Sequence, residues 1–313
     1  GGAAVVRKGQ PFQAGVEARA GALGLQRGGE GRWQGNIARP LPGGQCFAQT
    51  GDAAACPVAL ARPPQALAAR VAYFHARGAR ISDHAIDLPP AVDPVEPAEL
   101  EALFARRMSG NLLDQAQQSA WLRGLMEALG RCYAAQGWAM CLHIGAQRNN
   151  NSRRLSELGP DTGYDSISDM SCSAGLAALL DALDRSDELP KTLLFCLNPQ
   201  MNEVLSTLIG AFQDGSVAGK LQFGPAWWFN DHKDGNLQQL QTLANHGVLG
   251  SFVGMVTDSR SFASYPRHDY FRRLLCRQLG QWVEAGEYPA DLEALSQIVR
   301  AVCYDNAKRY FGL

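Results

Sequence analysis

From about residue 61 onward, short apolar runs alternate with amphipathic helical stretches, and few architectures satisfy that alternation. Strands are expected over 79–84, 138–144, 192–197, 220–224 and 251–257. Helices are expected over 64–78, 97–108, 113–136, 174–185, 201–212, 234–246, 267–287 and 292–311. Strands separated by a helix pair in parallel, because a parallel pair needs a long crossover, so the pattern predicts an α/β protein with helices around a parallel sheet. Five strands fall short of the eight that close a (β/α)8 TIM-type barrel. A doubly wound open sheet has the right count, but no glycine-rich phosphate turn follows the first strand.

Residues 1–60 are of another kind. They hold 13 of the 33 glycines and sustain neither a helical nor a strand period. Ordering a stretch such as residues 21–31 costs more backbone entropy than its few apolar side chains return, so this segment is expected to be mostly irregular. The folded unit is expected over 61–313. Gly1 stands where a natural start would have methionine, so the natural start is expected to be missing.

Composition narrows the function classes. The chain is 46% apolar and 19% charged, with a net charge of -1, which gives no electrostatic case for nucleic acid or an anionic membrane. No apolar run approaches the length of a membrane span. The eight cysteines include no Cys-x-x-Cys pair, which argues against a zinc knuckle. They read as reduced, largely buried residues of a cytoplasmic protein.

Candidate chemistry sits where the strands stop, the end at which parallel barrels carry their active sites. Asp258 ends the last expected strand, with Arg260 two residues on. It reads as a metal ligand, a proton acceptor or a helix cap, and the arginine fork suits a carboxylate. His143 ends another strand ahead of Arg148 and three asparagines, a donor-rich loop for a polyhydroxylated or anionic ligand, or an ordinary polar turn. Asp83 and His84 either orient an imidazole or form a solvated turn. Trp227 and Trp228 follow a fourth strand, where aromatic faces pack against sugar rings or simply fill core. The basic-aromatic stretch around Arg267 reads mainly as packing and a solvated face.

These residues resemble the uronate isomerase (glucuronate isomerase) family, a branch of the amidohydrolase superfamily. The matching blocks are Ser82-Asp83-His84, Leu142-His143-Ile144-Gly145-Ala146 with Arg148-Asn149-Asn150-Asn151, and Gly159-Pro160-Asp161-Thr162-Gly163-Tyr164-Asp165. Cys196-Leu197-Asn198-Pro199, Trp227-Trp228-Phe229-Asn230-Asp231 and Thr257-Asp258-Ser259-Arg260-Ser261-Phe262 continue the match. The likeness covers about residues 61–313, and residues 1–60 are expected to be foreign to the family sequence.

The resemblance implies the last five strands of a (β/α)8 barrel that interconverts D-glucuronate with D-fructuronate and D-galacturonate with D-tagaturonate. It implies catalytic roles for Asp258, Arg260 and His84, and substrate contacts from Arg148, His143, Trp227 and Trp228. It also implies a divalent metal, commonly zinc, with Asp258 as a ligand, in a cytoplasmic enzyme compatible with homo-oligomer formation. The family's His-x-His metal pair occurs nowhere in the chain, so an incomplete metal site and an inactive chain are expected. The alternatives are a metal-dependent hydrolase of the same superfamily and a non-catalytic fragment of a uronate isomerase.

Overall fold

The computed structural model describes residues 26–27, 33–34, 63–256 and 261–313. Two-residue strands β1 (Gln26–Arg27) and β2 (Trp33–Gln34) pair antiparallel. The main sheet is parallel throughout and contains β3 (Ile81–Ile86), β4 (Ala139–Ile144), β7 (Lys191–Cys196) and β8 (Leu221–Phe223), side by side in that order. Between β4 and β7 lies a small antiparallel pair, β5 (Ala146–Gln147) with β6 (Ser166–Ile167).

Burial follows position in the sheet. Central β4 and β7 are buried along nearly their whole length, as their continuous apolar runs require. Edge strand β3 alternates instead: Ser82 and Ile86 are buried, while Ile81, Asp83 and Ala85 are exposed. A parallel sheet shields its faces by packing, so this alternation marks a strand covered on one face only.

The crossovers are helical. After α1 (Pro63–His75) and β3 come α2 (Pro97–Met108) and α3 (Gln115–Ala135), and Asp114 with Gln117 forms a capping box at the start of α3. Next come α4 (Ser152–Leu158), α5 (Ser173–Asp184), α6 (Asn202–Gly210) and α7 (Lys233–His246). The chain closes with α8 (Pro266–Glu284), α9 (Leu292–Arg300), a π-helical turn at Ala301–Asp305 and α10 (Asn306–Phe311). Val302, Tyr310 and Phe311 join the sheet residues in one buried core. Tyr310 donates its hydroxyl to the Lys220 carbonyl at 2.7 Å, which ties the last helix to the start of β8.

Among the described residues the fifth expected strand does not form. Leu249–Ser251 is a 3-10 turn and residues 252–256 run without ladder pairing, although Phe252 and Val253 are fully buried. Side-chain amides replace the ladder. Gln222 of β8 accepts from the Val253 N–H at 3.0 Å and donates to the Ser251 carbonyl at 3.2 Å. From the other side Asn306 donates to the carbonyls of Gly250 and Phe252, both at 2.8 Å. Buried backbone groups must be paired, and here two amides meet the demand that a neighbouring strand would otherwise meet.

Candidate functional site

Loops at the carboxyl ends of the strands enclose a cleft of about 730 Å³. Its walls include Arg148 after β5, Asp161 and Asp165 before β6, Trp227 and Trp228 after β8, and Val256 with Arg267. The cleft therefore gathers side chains from four separated stretches of sequence.

His143, near the end of β4, touches the cleft wall through Trp227. Its ring stacks on Phe195 of β7 at 4.3 Å and 8°, and meets the edge of Trp227 at 4.4 Å and 69°. The β4–β7 register pairs His143 with Phe195 directly, so the stack follows from strand pairing. Gly224 is required beside it, since a Cβ there would lie 2.7 Å from the Phe195 ring. His143 Nδ1 lies 2.6 Å from Asp83 Oδ1. That hydrogen bond is the main reason the Asp83 carboxyl titrates below its usual value, with burial opposing it.

The two cleft arginines are each matched to a buried carboxylate. Arg148 donates to Asp165 at 3.2 Å, and the other Asp165 oxygen accepts from the Asn149 N–H at 2.8 Å. Arg148 also lies over the Trp228 ring at 5.1 Å. Arg267 pairs with Asp231, whose carboxylate further accepts from Asn236 at 3.2 Å. Asp165 and Asp231 are only 6% and 7% exposed, whereas Arg148 and Arg267 remain about a third exposed at 31% and 38%. Buried carboxylates thus position guanidinium groups whose remaining donors reach the cleft.

Backbone strain collects at the same place. Four described non-glycine residues have clearly positive φ, and three of them, Asn149 at 56°, Asp161 at 59° and Trp228 at 48°, are on or beside the cleft wall. For a residue as bulky as Trp228 this region is costly, and such strain concentrates at ligand sites. Asn230 holds the tryptophan loop down by donating to the Leu197 carbonyl at 2.8 Å.

The structure brings His143, Arg148, Trp227 and Trp228 into one chain of contacts, His143 to Trp227, Trp227 to Trp228 and Trp228 to Arg148. His84 is not part of it. It lies on the opposite face of β3 from Asp83, against α3, where its Nε2 is 2.9 Å from the Tyr133 hydroxyl and the two rings stack. The period of two in a strand forces neighbouring residues to opposite faces, so Asp83 and His84 cannot both face the cleft. Burial lowers the His84 pKa. The unfolded chain therefore binds this proton more tightly, and stability contributed by neutral His84 is full above about pH 6.5 and declines as the pH falls below it. Urea midpoints of the wild type should fall more between pH 7 and pH 5 than those of His84→Phe; equal falls would overturn this assignment.

Asp258 and Arg260 lie outside the described residues. Val256, two positions before Asp258, lines the cleft. Among the described residues no group of three histidine, cysteine, aspartate or glutamate side chains converges as metal ligands. The sequence reading gave Asp165 and Asp231 no site role and took the stretch around Arg267 as packing and a solvated face; the pairing of Arg267 with buried Asp231 appears only after folding.

Residues 60–311 match the model of the glucuronate isomerase family. The chain belongs to that family. The uronate isomerase of Caldicellulosiruptor saccharolyticus is 55% identical over 247 residues, covering 79% of this chain and 53% of the relative. That of Bacillus licheniformis is 52% identical, with 79% and 52% covered. Among solved structures, the Thermotoga maritima uronate isomerase superposes with a TM-score of 0.71 at 32% identity, over 79% of this chain and 53% of that one. The Caulobacter crescentus glucuronate isomerase gives 0.69 at 26% identity, with 80% and 50% covered. The chain thus spans about half the length of the glucuronate isomerase relatives it matches. No helix among the described residues is long and apolar enough to cross a membrane.

Proposed function

We propose that this member of the glucuronate isomerase family carries the hexuronate-binding rim and the proton-transfer base of a uronate isomerase. Its substrates would be D-glucuronate and D-fructuronate, with D-galacturonate and D-tagaturonate as the second pair, in the cytoplasm. The arrangement is read as the carboxyl-end rim of a partial (β/α)8 barrel. The observation that carries the reading is the cleft itself, in which two carboxylate-positioned arginines share the wall with two adjacent tryptophans, Trp227 and Trp228, the second held at positive φ. A sugar acid has the complementary groups: a carboxylate and hydroxyls for guanidinium donors, and an apolar ring face for indole.

Aldose–ketose isomerisation moves one proton from C2 to C1 and one from the C2 hydroxyl to the carbonyl oxygen. Asp258 is proposed as the base that carries the carbon-bound proton, with Arg260 and Arg148 holding the substrate's oxygens. His143 is proposed to contact a hydroxyl. His84 is left out, since it faces α3. Zinc takes three or four protein ligands, and the described residues by themselves bring no such group together, so no step here is routed through a metal.

A second reading, a non-catalytic piece that binds sugar acids, draws on β3, whose outer edge has no strand partner among the described residues. Two measurements on the full chain separate the readings: ketose formation from D-glucuronate, and quenching of tryptophan fluorescence by the same ligand. Arg148→Ala should weaken hexuronate binding about tenfold or more, the loss expected when a charge-assisted hydrogen bond is removed. Fluorescence that ignores hexuronates, together with no ketose, would remove both readings.

A further inference from the structure

The contact between Asp83 and His143 joins residues 60 positions apart, and it assigns a role to a carboxylate that the isomerisation scheme does not use. The β3–β4 register places Asp83 opposite Cys141 and Ala85 opposite His143, so both side chains project from the same sheet face one pair apart. Asp83 is 70% exposed and His143 17%, so the carboxylate stands at the open border of a nearly enclosed ring.

A carboxylate only accepts hydrogen bonds, so the proton between the two groups belongs to His143 Nδ1. The ring cannot readily turn over, held as it is between the Phe195 face and the Trp227 edge. Its other nitrogen, Nε2, has no hydrogen-bond partner among the described residues, and Trp227 beside it lines the cleft. We propose that Asp83 is a positioning residue that holds His143 as the Nδ1–H tautomer, leaving Nε2 as the acceptor for a hydroxyl of the bound hexuronate. The proposal rests on the reading of the cleft as a hexuronate site. It also separates Asp83 from its sequence neighbour His84, which makes an independent bond to Tyr133 on the far face.

Imidazole nitrogen NMR of the full chain, with His143→Gln to assign the signal, tests the tautomer without reference to turnover. In the wild type at neutral or mildly alkaline pH, Nδ1 should carry the proton and Nε2 should be the bare nitrogen. Asp83→Asn keeps the shape but presents an amide donor, and the proton should move to Nε2; exchanging a carboxylate for an amide beneath a histidine reverses the tautomer in the same way in a serine protease triad. Asp83→Glu should restore the wild-type pattern. Adding D-glucuronate should shift the Nε2 signal in the wild type and not in Asp83→Asn.

Where turnover is measurable, Asp83→Asn should lower kcat/KM by about 10–100-fold, the usual range for residues acting behind a ligand-contacting histidine. An unchanged tautomer in Asp83→Asn would overturn the proposal whatever the activity. A reversed tautomer with an Nε2 signal still shifted equally by D-glucuronate would overturn the acceptor role. If hexuronates shift nothing in the wild type, the acceptor role falls together with the hexuronate reading of the cleft. The tautomer comparison still decides what Asp83 does to His143.

Discussion

Gly254→Ala should destabilise the protein by about 2–5 kcal/mol. Two costs add. Gly254 has φ of +77°, a region that charges an L-residue about 1–2 kcal/mol. A Cβ at this position would lie 2.1 Å from the Val302 carbonyl oxygen, an overlap with backbone rather than with a yielding side chain. Val302 is fully buried within the π-helical turn, so relief requires moving the turn or the 252–256 segment. Gly286→Ala is the control: its φ is +73°, but nothing lies within 4 Å of the added methyl group. The difference between the two urea midpoints isolates the collision, and equal midpoints would show that the segment has room to shift.

The same position bears on the cleft. Val253 is pinned by Gln222, Phe252 by Asn306, and three residues later Val256 forms part of the cleft wall. A displaced Gly254 therefore bears on Val256 and its part of the cleft wall. Structure at this place depends on amides reaching in from β8 and from the start of α10, not on a local preference for extended backbone.

That explains what could and could not be read from the chain. The helical spans were legible because a period near 3.6 with glycine or proline punctuation survives any packing: α2 was expected at 97–108 and is found at Pro97–Met108. Strands β4 and β7 were legible for a similar reason, since a continuous apolar run of this length fits the middle of a parallel sheet. Residues 251–257 share that appearance, yet pairing is not a property of the run itself. Whether its N–H and C=O groups meet a strand or the side chains of Gln222 and Asn306 is decided 31 to 56 residues away. Likewise, alternation separates Asp83 from His84 but leaves open which of them faces the cleft. Only the packing of α3, with Tyr133 waiting for an imidazole, settles that His84 turns outward. The position of His143, Arg148, Trp227 and Trp228 at or after the carboxyl ends of strands is visible in the sequence, while the burial of Asp165 and Asp231 beside their arginines leaves no local mark.

Asp258→Asn should abolish most turnover while leaving hexuronate binding nearly unchanged. Asparagine has the shape of aspartate but cannot accept a proton from carbon, and removing a positioned general base typically costs about 10²–10⁴-fold. The cleft groups proposed to hold the sugar acid, Arg148, Arg267 and the tryptophan pair, have partners of their own among the described residues. Binding followed by tryptophan fluorescence should therefore stay within a few-fold of wild type as ketose formation falls. A parallel loss of binding and turnover would assign Asp258 to holding the substrate, and turnover retained in full would remove it from the chemistry. Exchange of the C2 hydrogen with solvent gives the sharper version of the test: it requires only the first half of the reaction, so it should vanish in Asp258→Asn even if a later step limits the wild type.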